Sequence, residues 1–515
     1  MSLLLADILA VGLCLFFLHY AWRKRGRANY LPPGPPGAPL LGNLLQIPAN
    51  GVARALRDLS KGYGDVVTLR LPSSTLLVLN SRQAISDLLV GRSAVYSDRS
   101  QLVMSGELVG FKDSILRQNN TPRFRKCRKL LRRGLGAGPA RSFAPFLNRQ
   151  SAFLLENLCR RPADFVEIVK RNAAAVSMKI AYGYPSVDEE LLDMMLRTSE
   201  YFLETTTLGT WLVDLLPFLR HLPEWFPLAH FQRYAARARP IVQECIDKPF
   251  EAVKQHMETA TASASFSAML LEEANGDPET EYCIKQSSSG ILLGQTDTTT
   301  AAMSWFFLAM ALYPEVQAKA QAEIDTVIGN DRLPRIEDRK DLPYIQAIMQ
   351  EVFRWHPIVL VVPHVASEDD IYRGYVIPAG TTAVANIWAV LHDESVYHDA
   401  DKFIPERFSE EGAPDSIDIA FGFGRRVCPG KLVAQAHIFV SITATLATLN
   451  IARAQNADGH VIELDLEDGS GPINFPKSYE ISLGPRSEAA AELIRRSAEH
   501  SRTLPDDLDV FSLEE

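Results

Sequence analysis

Amphipathic segments dominate the middle of the chain, where apolar residues recur every three or four positions between polar ones. This period is typical of helices that bury one face. It predicts helices over Arg125–Leu135, Arg149–Cys159, Ser177–Leu192, Leu228–Thr259, Glu281–Leu312, Glu315–Ile328, Tyr344–Trp355 and Lys431–Leu449.

Short β-like runs lie within residues 65–71, 74–80, 370–386 and 479–484. Helices and strands do not alternate regularly along the chain. The pattern therefore predicts a mainly α fold with small β-sheets (α+β), and it disfavours a doubly wound parallel sheet.

The N-terminal segment Leu3–Trp22 is almost continuously apolar, unlike the segments that follow it. About 20 apolar residues in a helix are long enough to cross a bilayer. The basic cluster Arg23–Arg27 comes directly afterwards, which favours a cytoplasmic position for the rest of the chain. We expect one transmembrane signal anchor over residues 1–22, with a removed signal peptide as the alternative.

Composition divides the remaining residues into three parts. Residues 23–43 are basic and then proline-rich, which predicts a stiff linker between a membrane and a folded body. Residues 44–486 hold the predicted helices and strands of one large domain. Residues 487–515 predict a surface helix and then an acidic tail, which we expect to be poorly ordered.

Charge and cysteine content exclude some classes of protein. The 515 residues carry a formal net charge of −9, which argues against nucleic-acid binding. Six cysteines, at positions 14, 127, 159, 245, 283 and 428, are scattered and form no C-x-x-C pair. This spacing favours a reducing compartment and disfavours a zinc finger or an iron–sulfur cluster.

The predicted helix Glu281–Leu312 carries polar residues at its centre, in LLGQTDTTTAAMSWF. A threonine inside a helix can return its hydroxyl to the carbonyl four residues earlier, which for Thr298 belongs to Gly294. Asp297 and Thr298 are therefore candidates for chemistry. A polar seam satisfied by water explains this stretch equally well when it is judged alone.

Two motifs place charges in apolar surroundings. EVFR sets Glu351 and Arg354 three residues apart on one helix face, and FIPERF supplies Arg407. A pair of this kind is usually an exposed salt bridge of little energetic value. Two arginines around one carboxylate could instead form a buried ion network near the next motif.

Cys428 lies in FGFGRRVCPG, among three glycines, two arginines and a proline, directly before a predicted helix. A structural cysteine needs no such setting, because it packs as a small buried hydrophobe. A reactive or metal-binding thiolate does need it, since nearby cations and a helix N-terminus lower the pKa of the thiol. The motif therefore predicts a thiolate at Cys428.

Together these motifs resemble those of the microsomal cytochrome P-450 family of haem-thiolate monooxygenases, from the N-terminal anchor to about Gly484. FGFGRRVCPG matches the cysteine loop of that family, EVFR and FIPERF its ion triad, and GQTDTT its oxygen-activation motif. The resemblance implies the cytochrome P-450 fold for residues 44–486. It also implies haem b (iron protoporphyrin IX) with Cys428 as axial ligand, the acid–alcohol pair Asp297 and Thr298, and the structural network Glu351, Arg354 and Arg407.

Contacts to the haem are implied by the same resemblance. RFRKCR resembles a W-x-x-x-R element, and VPHVASEDDIYRGYVIPAGT resembles the segment whose basic residue contacts a haem propionate. The implied cofactor-binding residues are Phe124, Arg128, His364, Phe421, Arg426 and Gly430. The chain departs from the family at Phe124, where tryptophan is usual, and at Gln295, where glycine is usual.

The implied reaction inserts one oxygen atom from O2 into a lipophilic small molecule, such as a terpenoid, a polyketide or a polycyclic aromatic compound. NADPH–cytochrome P-450 reductase would supply the electrons, and the basic run Arg123–Arg133 is a candidate docking surface for it. LVDLLPFLRHLPEWFP resembles fungal members, which indicates secondary metabolism or detoxification at the endoplasmic reticulum membrane. The alternatives are a haem-thiolate isomerase or dehydratase, and a membrane-tethered haem-binding sensor.

Overall fold

The computed structural model describes residues 31–505, apart from positions 49, 208, 228, 410–413, 457, 465, 467–468 and 470. The anchor predicted over residues 1–22, the basic part of the linker and residues 506–515 of the tail lie outside this range. Within the described range, no helix is both long enough and apolar enough to cross a bilayer.

Helices make up most of the described structure. In chain order they are α1 (Val52–Asp58), α2 (Ser60–Tyr63), α3 (Arg82–Ile85), α4 (Pro122–Leu135), α5 (Ala137–Ser142), α6 (Ala144–Arg160), α7 (Phe165–Tyr182), α8 (Glu189–Thr206), α9 (Leu212–Leu215), α10 (His230–Glu258), α11 (Phe266–Ala274), α12 (Pro278–Leu312), α13 (Pro314–Val327), α14 (Pro343–Trp355), α15 (Ile387–Leu391), α16 (Ser416–Ala420), α17 (Lys431–Thr448) and α18 (Glu488–Thr503). Two short π-helical segments, Ser86–Gly91 and Val103–Val109, lie between α3 and α4.

The strands form small sheets beside the helices. They are β1 (Val66–Arg70), β2 (Thr75–Leu79), β3 (Val361–Val365), β4 (Asp370–Tyr372), β5 (Tyr375–Ile377), β6 (Thr382–Asn386), β7 (Leu449–Arg453) and β8 (Ile481–Pro485). A four-stranded sheet has the order β1-β2-β6-β3, with β6 parallel to β2 and antiparallel to β3. β4 pairs with β5, and β7 with β8. The predicted mainly α fold with small sheets is confirmed for the described part of the chain.

Helix α12 carries the polar motif through the interior. It begins where Asp277 accepts a hydrogen bond from the Thr280 N–H at 3.0 Å and Pro278 occupies the first turn. Near its other end Trp305 is buried and stacks on His356, with 3.7 Å between ring centroids. α12 packs most extensively on α7 and also contacts α4, α10, α11 and α17. These contacts fix the centre of α12 inside the helical core.

One predicted helix, Ser177–Leu192, is wrong. α7 ends at Tyr182, and Asp188 caps the start of α8 by accepting a hydrogen bond from the Leu191 N–H at 2.8 Å. Gly183 lies between the two helices with a φ of 84°, a left-handed conformation that ends a helix. The apolar spacing continues across this break, so periodicity alone joined parts of two helices.

The β-like run over residues 370–386 is also divided. Arg373 and Gly374 have φ values of 51° and 82° and form the tight turn between β4 and β5. β6 then pairs with β2 and β3 in the larger sheet. One continuous pattern in the sequence thus contributes to two sheets.

The proline-rich residues 31–43 lie against β1. The Thr68 N–H donates to Pro33 O at 2.9 Å, and the Arg70 N–H donates to Asn43 Oδ1 at 2.7 Å. Gly34 passes so close to β1 that an added Cβ would collide with Thr68 O. This part of the predicted linker is therefore attached along the edge of the four-stranded sheet.

Candidate functional site

The cysteine loop between α16 and α17 is shaped by its own backbone hydrogen bonds. The Cys428 N–H donates to Phe421 O at 2.8 Å, and the Arg426 N–H donates to Phe423 O at 3.0 Å. The Phe421 ring packs on Phe353 of α14, with 5.2 Å between centroids. The loop is thus closed on itself and attached to α14 through an aromatic contact.

Glycines serve two purposes in this loop. Gly422 and Gly424 have φ values of 82° and 54°, which glycine adopts without strain. At Gly424 an added Cβ would also collide with Leu89 O. At Gly430, by contrast, an added Cβ would meet no described atom within 4 Å. Protein packing therefore does not require glycine at position 430, and the space beside it is open.

Opposing effects act on the thiol of Cys428. Burial raises its pKa, whereas the backbone N–H of Gly430 and the charges of Arg128 and Lys431 lower it. Burial has the largest effect, so the pKa lies above its ordinary value. A thiol that coordinates a metal ion is deprotonated outright, and the N–H group and the two cations are placed to stabilise that anion.

Three of the predicted cofactor-binding side chains meet beside the loop. Arg128 of α4 donates to Val427 O at 2.7 Å. Arg426 donates from Nε to Ser97 O at 2.7 Å, and its guanidinium lies 3.8 Å from the centroid of the Phe124 ring. Phe124 and Arg128 share one face of α4 because they are four residues apart.

His364 of β3 and Arg99 lie at the same place. His364 donates from Nδ1 to Tyr96 O at 2.8 Å, since a backbone carbonyl can only accept. The other ring nitrogen, Nε2, is buried without a hydrogen-bond partner among the described residues. Arg99 donates to Pro363 O, next to His364 in β3.

We call Arg99, Arg128, His364 and Arg426 the cation cluster. Burial, and then the charge of Arg117, lower the pKa of Arg99 to about 10. Burial and the charge of Arg99 lower the pKa of Arg426 to about 9, although Asp98 offsets part of this effect. Burial and Arg99 also lower the pKa of His364 to about 3, and burial lowers that of Arg128.

The cation cluster suits a ligand that carries more than one negative charge. Buried charges in proteins are normally paired. In the described part of the chain, no carboxylate forms an ion pair with any member of the cluster, and His364 Nε2 has no partner. The two propionate groups of haem b would meet this need, so the residues present fit the cofactor that the sequence resemblance implies.

The centre of α12 is open on one side. Leu293, Gly294, Gln295 and Thr298 are half-buried, whereas the neighbouring helical positions are buried. An added Cβ at Gly294 would meet no described atom within 4 Å. Thr298 donates its hydroxyl to Gly294 O at 2.8 Å, as the four-residue spacing predicts. The polar motif therefore borders an open space inside the helical core.

Asp297 faces α7 and α8. It is 4% exposed, accepts a hydrogen bond from Ser199 Oγ of α8 and lies 3.5 Å from Lys170 Nζ of α7. Lys170 is 27% exposed, so it connects the buried carboxylate with the surface. Asp297 and Thr298 are adjacent in sequence, but their side chains contact different parts of the molecule.

Glu351, Arg354 and Arg407 form one buried network. Arg354 donates to both oxygens of Glu351, at 2.6 and 2.9 Å, and Arg407 Nε donates to Glu351 Oε1 at 3.3 Å. Arg354 also donates to three backbone carbonyls, those of Leu391, Ala400 and Lys402. The side chains of Glu351 and Arg354 are 0% exposed, which excludes the alternative of an exposed salt bridge.

Sequence reasoning missed several residues that contact the predicted ones. Arg99 joins the cation cluster, and Lys170 and Ser199 contact Asp297. His437 of α17 lies 3.4 Å from the amide of Gln295. Each stands in a segment without a local motif and reaches the site only through the tertiary fold, so no signal in the sequence marks it.

Comparisons with known proteins agree with this geometry. The family model described as Cytochrome P450 matches residues 32–463. The chain is 38% identical over 491 residues to cytochrome P450 monooxygenase claR of Ampulloclitocybe clavipes, covering 93% of this chain and 91% of that protein. It is 40% identical over 488 residues to cytochrome P450 monooxygenase 208 of Postia placenta, covering 93% and 95%. The chain therefore belongs to the cytochrome P450 family and is a haem b monooxygenase with a cysteine thiolate as axial ligand.

Proposed function

We propose that this monooxygenase inserts one oxygen atom from O2 into a lipophilic small molecule, with electrons that a separate reductase takes from NADPH. When bound, the haem supplies the oxygen activation, and the protein supplies binding, orientation and proton transfer. The observation that carries the assignment of the site is the position of the Cys428 loop beside a cation cluster whose members form no ion pair with a carboxylate of the described residues.

We assign Cys428 as the axial ligand, because the backbone N–H of Gly430 and the charges of Arg128 and Lys431 favour its thiolate. The cation cluster would hold the two propionates, with Phe124 supporting Arg426 through a cation–π contact. Phe421 fixes the loop through its carbonyl oxygen, and Gly430 leaves space beside it. These roles account for each cofactor-binding residue that the sequence predicts.

The network of Glu351, Arg354 and Arg407 would position the cysteine loop indirectly. It attaches α14 to the backbone between Leu391 and Ile404, since the Ile404 N–H also donates to Glu351 Oε1 at 2.8 Å. α14 in turn packs on α16, which leads into the loop. The network thereby fixes the segment that precedes Cys428.

Asp297 and Thr298 are proposed to deliver protons. A proton from solvent can pass from Lys170 Nζ to Asp297 Oδ1, since these atoms are 3.5 Å apart. The Thr298 hydroxyl faces the open side of α12 and can hold a water there while it stays bonded to Gly294 O. Proton delivery by a positioned group commonly contributes about 10²–10⁴-fold to a rate.

The substrate is proposed to be a terpenoid, a polyketide or a polycyclic aromatic compound. Supporting this, an apolar cluster joins the segment around Phe111 to α9 and the start of α10, through Val103, Met104, Trp211, Val213 and Phe231. Apolar side chains of this kind line most small-molecule pockets. Because the relatives are fungal monooxygenases, we propose a role in secondary metabolism or detoxification.

NADPH–cytochrome P450 reductase is the proposed electron donor, and α4 its docking surface. Within the basic run, three side chains form ion pairs with acidic residues near the start of α12: Arg123 with Glu279, Lys126 with Asp277, and Arg133 with Glu273. Arg125, Lys129 and Arg132 are exposed. We therefore assign the contact with an acidic reductase surface to these three side chains.

We also propose that residues 1–22 anchor the protein in the endoplasmic reticulum membrane, with the catalytic part in the cytoplasm. The apolar segment followed by Arg23–Arg27 supports this placement. Leu40, Leu41 and Leu45 are exposed where the described chain begins, which gives the same end of the molecule an apolar surface.

Replacement of Thr298 by alanine tests the proposed reaction. With reductase, NADPH and an accepted substrate, Thr298→Ala should consume NADPH while forming at least about tenfold less product and more hydrogen peroxide. Thr300→Ala is the matched control, because Thr300 makes the same contact with a carbonyl of α12, that of Thr296, at 2.7 Å. Full coupling in Thr298→Ala, or equal uncoupling in Thr300→Ala, would contradict the assignment.

Ligation is tested by Cys428→Ser. We expect the reduced carbonyl complex to lose the red-shifted Soret band that a thiolate ligand produces. Cys159→Ser, in the half-buried cysteine of α6, should retain the band. Retention of the band in Cys428→Ser would show that another residue is the ligand.

A further inference from the structure

A chain of buried polar side chains begins at Gln295, in the open centre of α12. Gln295 Nε2 lies 3.4 Å from His437 Nδ1 on α17, and His437 Nε2 lies 2.8 Å from Asn172 Oδ1 on α7. Asn172 Nδ2 lies 3.0 Å from the backbone oxygen of Gln150 on α6. The chain thus connects four helices and ends at a backbone group.

The backbone oxygen of Gln150 fixes the direction of every hydrogen bond in the chain. A carbonyl can only accept, so Asn172 must turn its NH2 group towards it and its Oδ1 towards His437. His437 then donates from Nε2, which leaves Nδ1 as an acceptor. Gln295 therefore donates from its NH2 group to His437 Nδ1. Only one orientation of the Gln295 amide satisfies all four residues.

His437 keeps this arrangement because it stays neutral. Burial alone lowers its pKa to about 4. A protonated ring would donate from both nitrogens and would turn the Gln295 amide around. Above about pH 5, the orientation of the amide is therefore set by the fold.

The side-chain carbonyl oxygen of Gln295 has no hydrogen-bond donor in this chain of side chains. No hydrogen bond to Gln295 Oε1 is made within the described residues, and the side chain is half-buried. Its neighbours Gly294 and Thr298 border the same open side of α12. Gln295 thus keeps one acceptor without a partner among the described residues, while its NH2 group is bound to His437. The proposed function places the substrate in the open space that Gln295 borders.

We infer that Gln295 Oε1 selects substrates that carry a hydrogen-bond donor, so that the preferred class is lipophilic alcohols and phenols. This inference rests on the proposed function, because it assigns the open space beside α12 to the substrate. A fixed acceptor binds a hydroxyl without first reorienting, and an ether in its place leaves the acceptor desolvated and unpaired. Gln295 is thus a specificity-determining residue, and His437 and Asn172 are positioning residues.

Two matched pairs of probes test the selection: borneol with bornyl methyl ether, and 2-naphthol with 2-methoxynaphthalene. Equilibrium dialysis of the haem-loaded protein gives the dissociation constant of each. In at least one pair, we expect the alcohol to bind about tenfold more tightly than its ether. Gln295→Met keeps the length of the side chain but removes the acceptor, so the ratio should fall to about one. Gln321→Met is the control, since Gln321 of α13 uses its amide to donate to Leu449 O of β7 at 3.2 Å and is no part of the chain of side chains that begins at Gln295.

Variants of His437 test the positioning. His437→Gln can accept from Gln295 through its own Oε1 and donate to Asn172, so it should keep the alcohol preference to within about threefold. His437→Leu removes the acceptor for the Gln295 NH2 group and should lower the preference. An effect on both members of a pair alike would indicate a merely structural role for His437 and would contradict the positioning.

The outcome of Gln295→Met decides the inference even if His437→Leu does not fold. An unchanged ratio in Gln295→Met, equal binding within both pairs, or no binding of either alcohol would overturn it. An unchanged ratio would also show that Oε1 binds only water. The red-shifted Soret band of the reduced carbonyl complex and coupled turnover of another substrate report on the proposed function separately, so the two failures are distinguishable.

Discussion

Two groups of arginines, each with a buried member, lie close to the cysteine loop, and they differ in how their positive charge is compensated: Arg354 is buried in one group and His364 in the other. In the network around Arg354, the guanidinium meets a carboxylate and three backbone carbonyls, and Arg407 shares the same Glu351. In the cation cluster, Arg426 and Arg128 donate hydrogen bonds to backbone carbonyls and to no carboxylate of the described residues, and His364 Nε2 has no hydrogen-bond partner among them. We call the first group the closed network, because a carboxylate within it pairs with both arginines. We call the cation cluster open, because it contains no carboxylate.

The difference separates what folding completes from what a cofactor must complete. Removing charges from water costs several kcal/mol each unless partners replace the water. The Arg354 network supplies its own counter-charge, so it can contribute to stability as soon as the chain folds. Burial, and after it the neighbouring positive charges, lower the pKa values of Arg99, Arg426 and His364 instead, so their charged forms are disfavoured there. An anionic ligand would instead raise the pKa values of these groups, because a nearby negative charge favours their protonated forms.

Breaking the closed network should have the largest effect. Glu351→Gln keeps the shape of the side chain but leaves the buried Arg354 without its counter-charge, which typically costs about 3–5 kcal/mol. We expect this loss of unfolding free energy in urea titrations, both with and without haem. Glu406→Gln is the matched control, because Glu406 makes an exposed ion pair with Lys319 at 2.7 Å and should cost about 1 kcal/mol or less. A loss confined to the haem-loaded form would contradict the closed character of the network.

Acid should destabilise the open cluster through His364. Its folded pKa of about 3 lies below the ordinary value of 6.5, so the neutral ring is favoured in the folded protein. The contribution to stability is complete above pH 6.5 and is lost as the pH falls towards about 3. Between pH 6.5 and 5, the haem-free wild type should lose about 2 kcal/mol more than His364→Gln, measured by urea unfolding.

Haem should reduce this acid sensitivity. Carboxylates beside His364 Nε2 would favour the protonated ring and raise its pKa, so the haem-loaded protein should lose less stability over the same pH range. Potentiometric titration should then detect proton uptake on haem binding near pH 5, and less uptake in His364→Gln. Identical pH profiles with and without haem would show that the propionates lie elsewhere.

A charge removed from the open cluster should weaken haem binding without weakening the fold. Arg99→Gln keeps a donor for Pro363 O but removes one cation. We expect haem affinity to fall about 10- to 100-fold, the range for a charge-assisted hydrogen bond, while the haem-free protein keeps or gains stability. Arg373→Gln is the control, because Arg373 pairs with Asp65 on the surface at 2.8 Å. A loss of stability without haem would mean that Arg99 is needed for folding.

Sequence alone predicts contacts that lie within one helix. Thr298 and Gly294 are four residues apart in α12, and Glu351 and Arg354 are three apart in α14, so helical geometry fixes both contacts. The mainly helical class follows from apolar periodicity in the same way. The prediction of a helix over Ser177–Leu192 was wrong because apolar periodicity does not detect the left-handed backbone conformation of Gly183, which ends α7.

Contacts between distant segments could not be predicted from local pattern. Arg99 and Pro363 are 264 residues apart, and Gln295 and His437 are 142 apart. Such pairs depend on how helices and sheets pack, which no spacing within a motif encodes. The open cation cluster is therefore a property of the tertiary structure, although three of its four members follow from motifs.

The smallest expected effect concerns Phe124, which stands where tryptophan is usual in the family. The Arg426 guanidinium lies 3.8 Å from the centroid of its ring, and a cation–π contact is worth about 0.5–1 kcal/mol when partly exposed. Phe124→Leu should therefore release haem about two- to fivefold faster, measured by transfer to an excess of a haem-binding scavenger protein. Phe250→Leu is the matched control, because Phe250 is buried in the same apolar core. If both variants release haem equally fast, the effect comes from lost packing, and the ring of Phe124 adds nothing to the hold of Arg426 on the propionates.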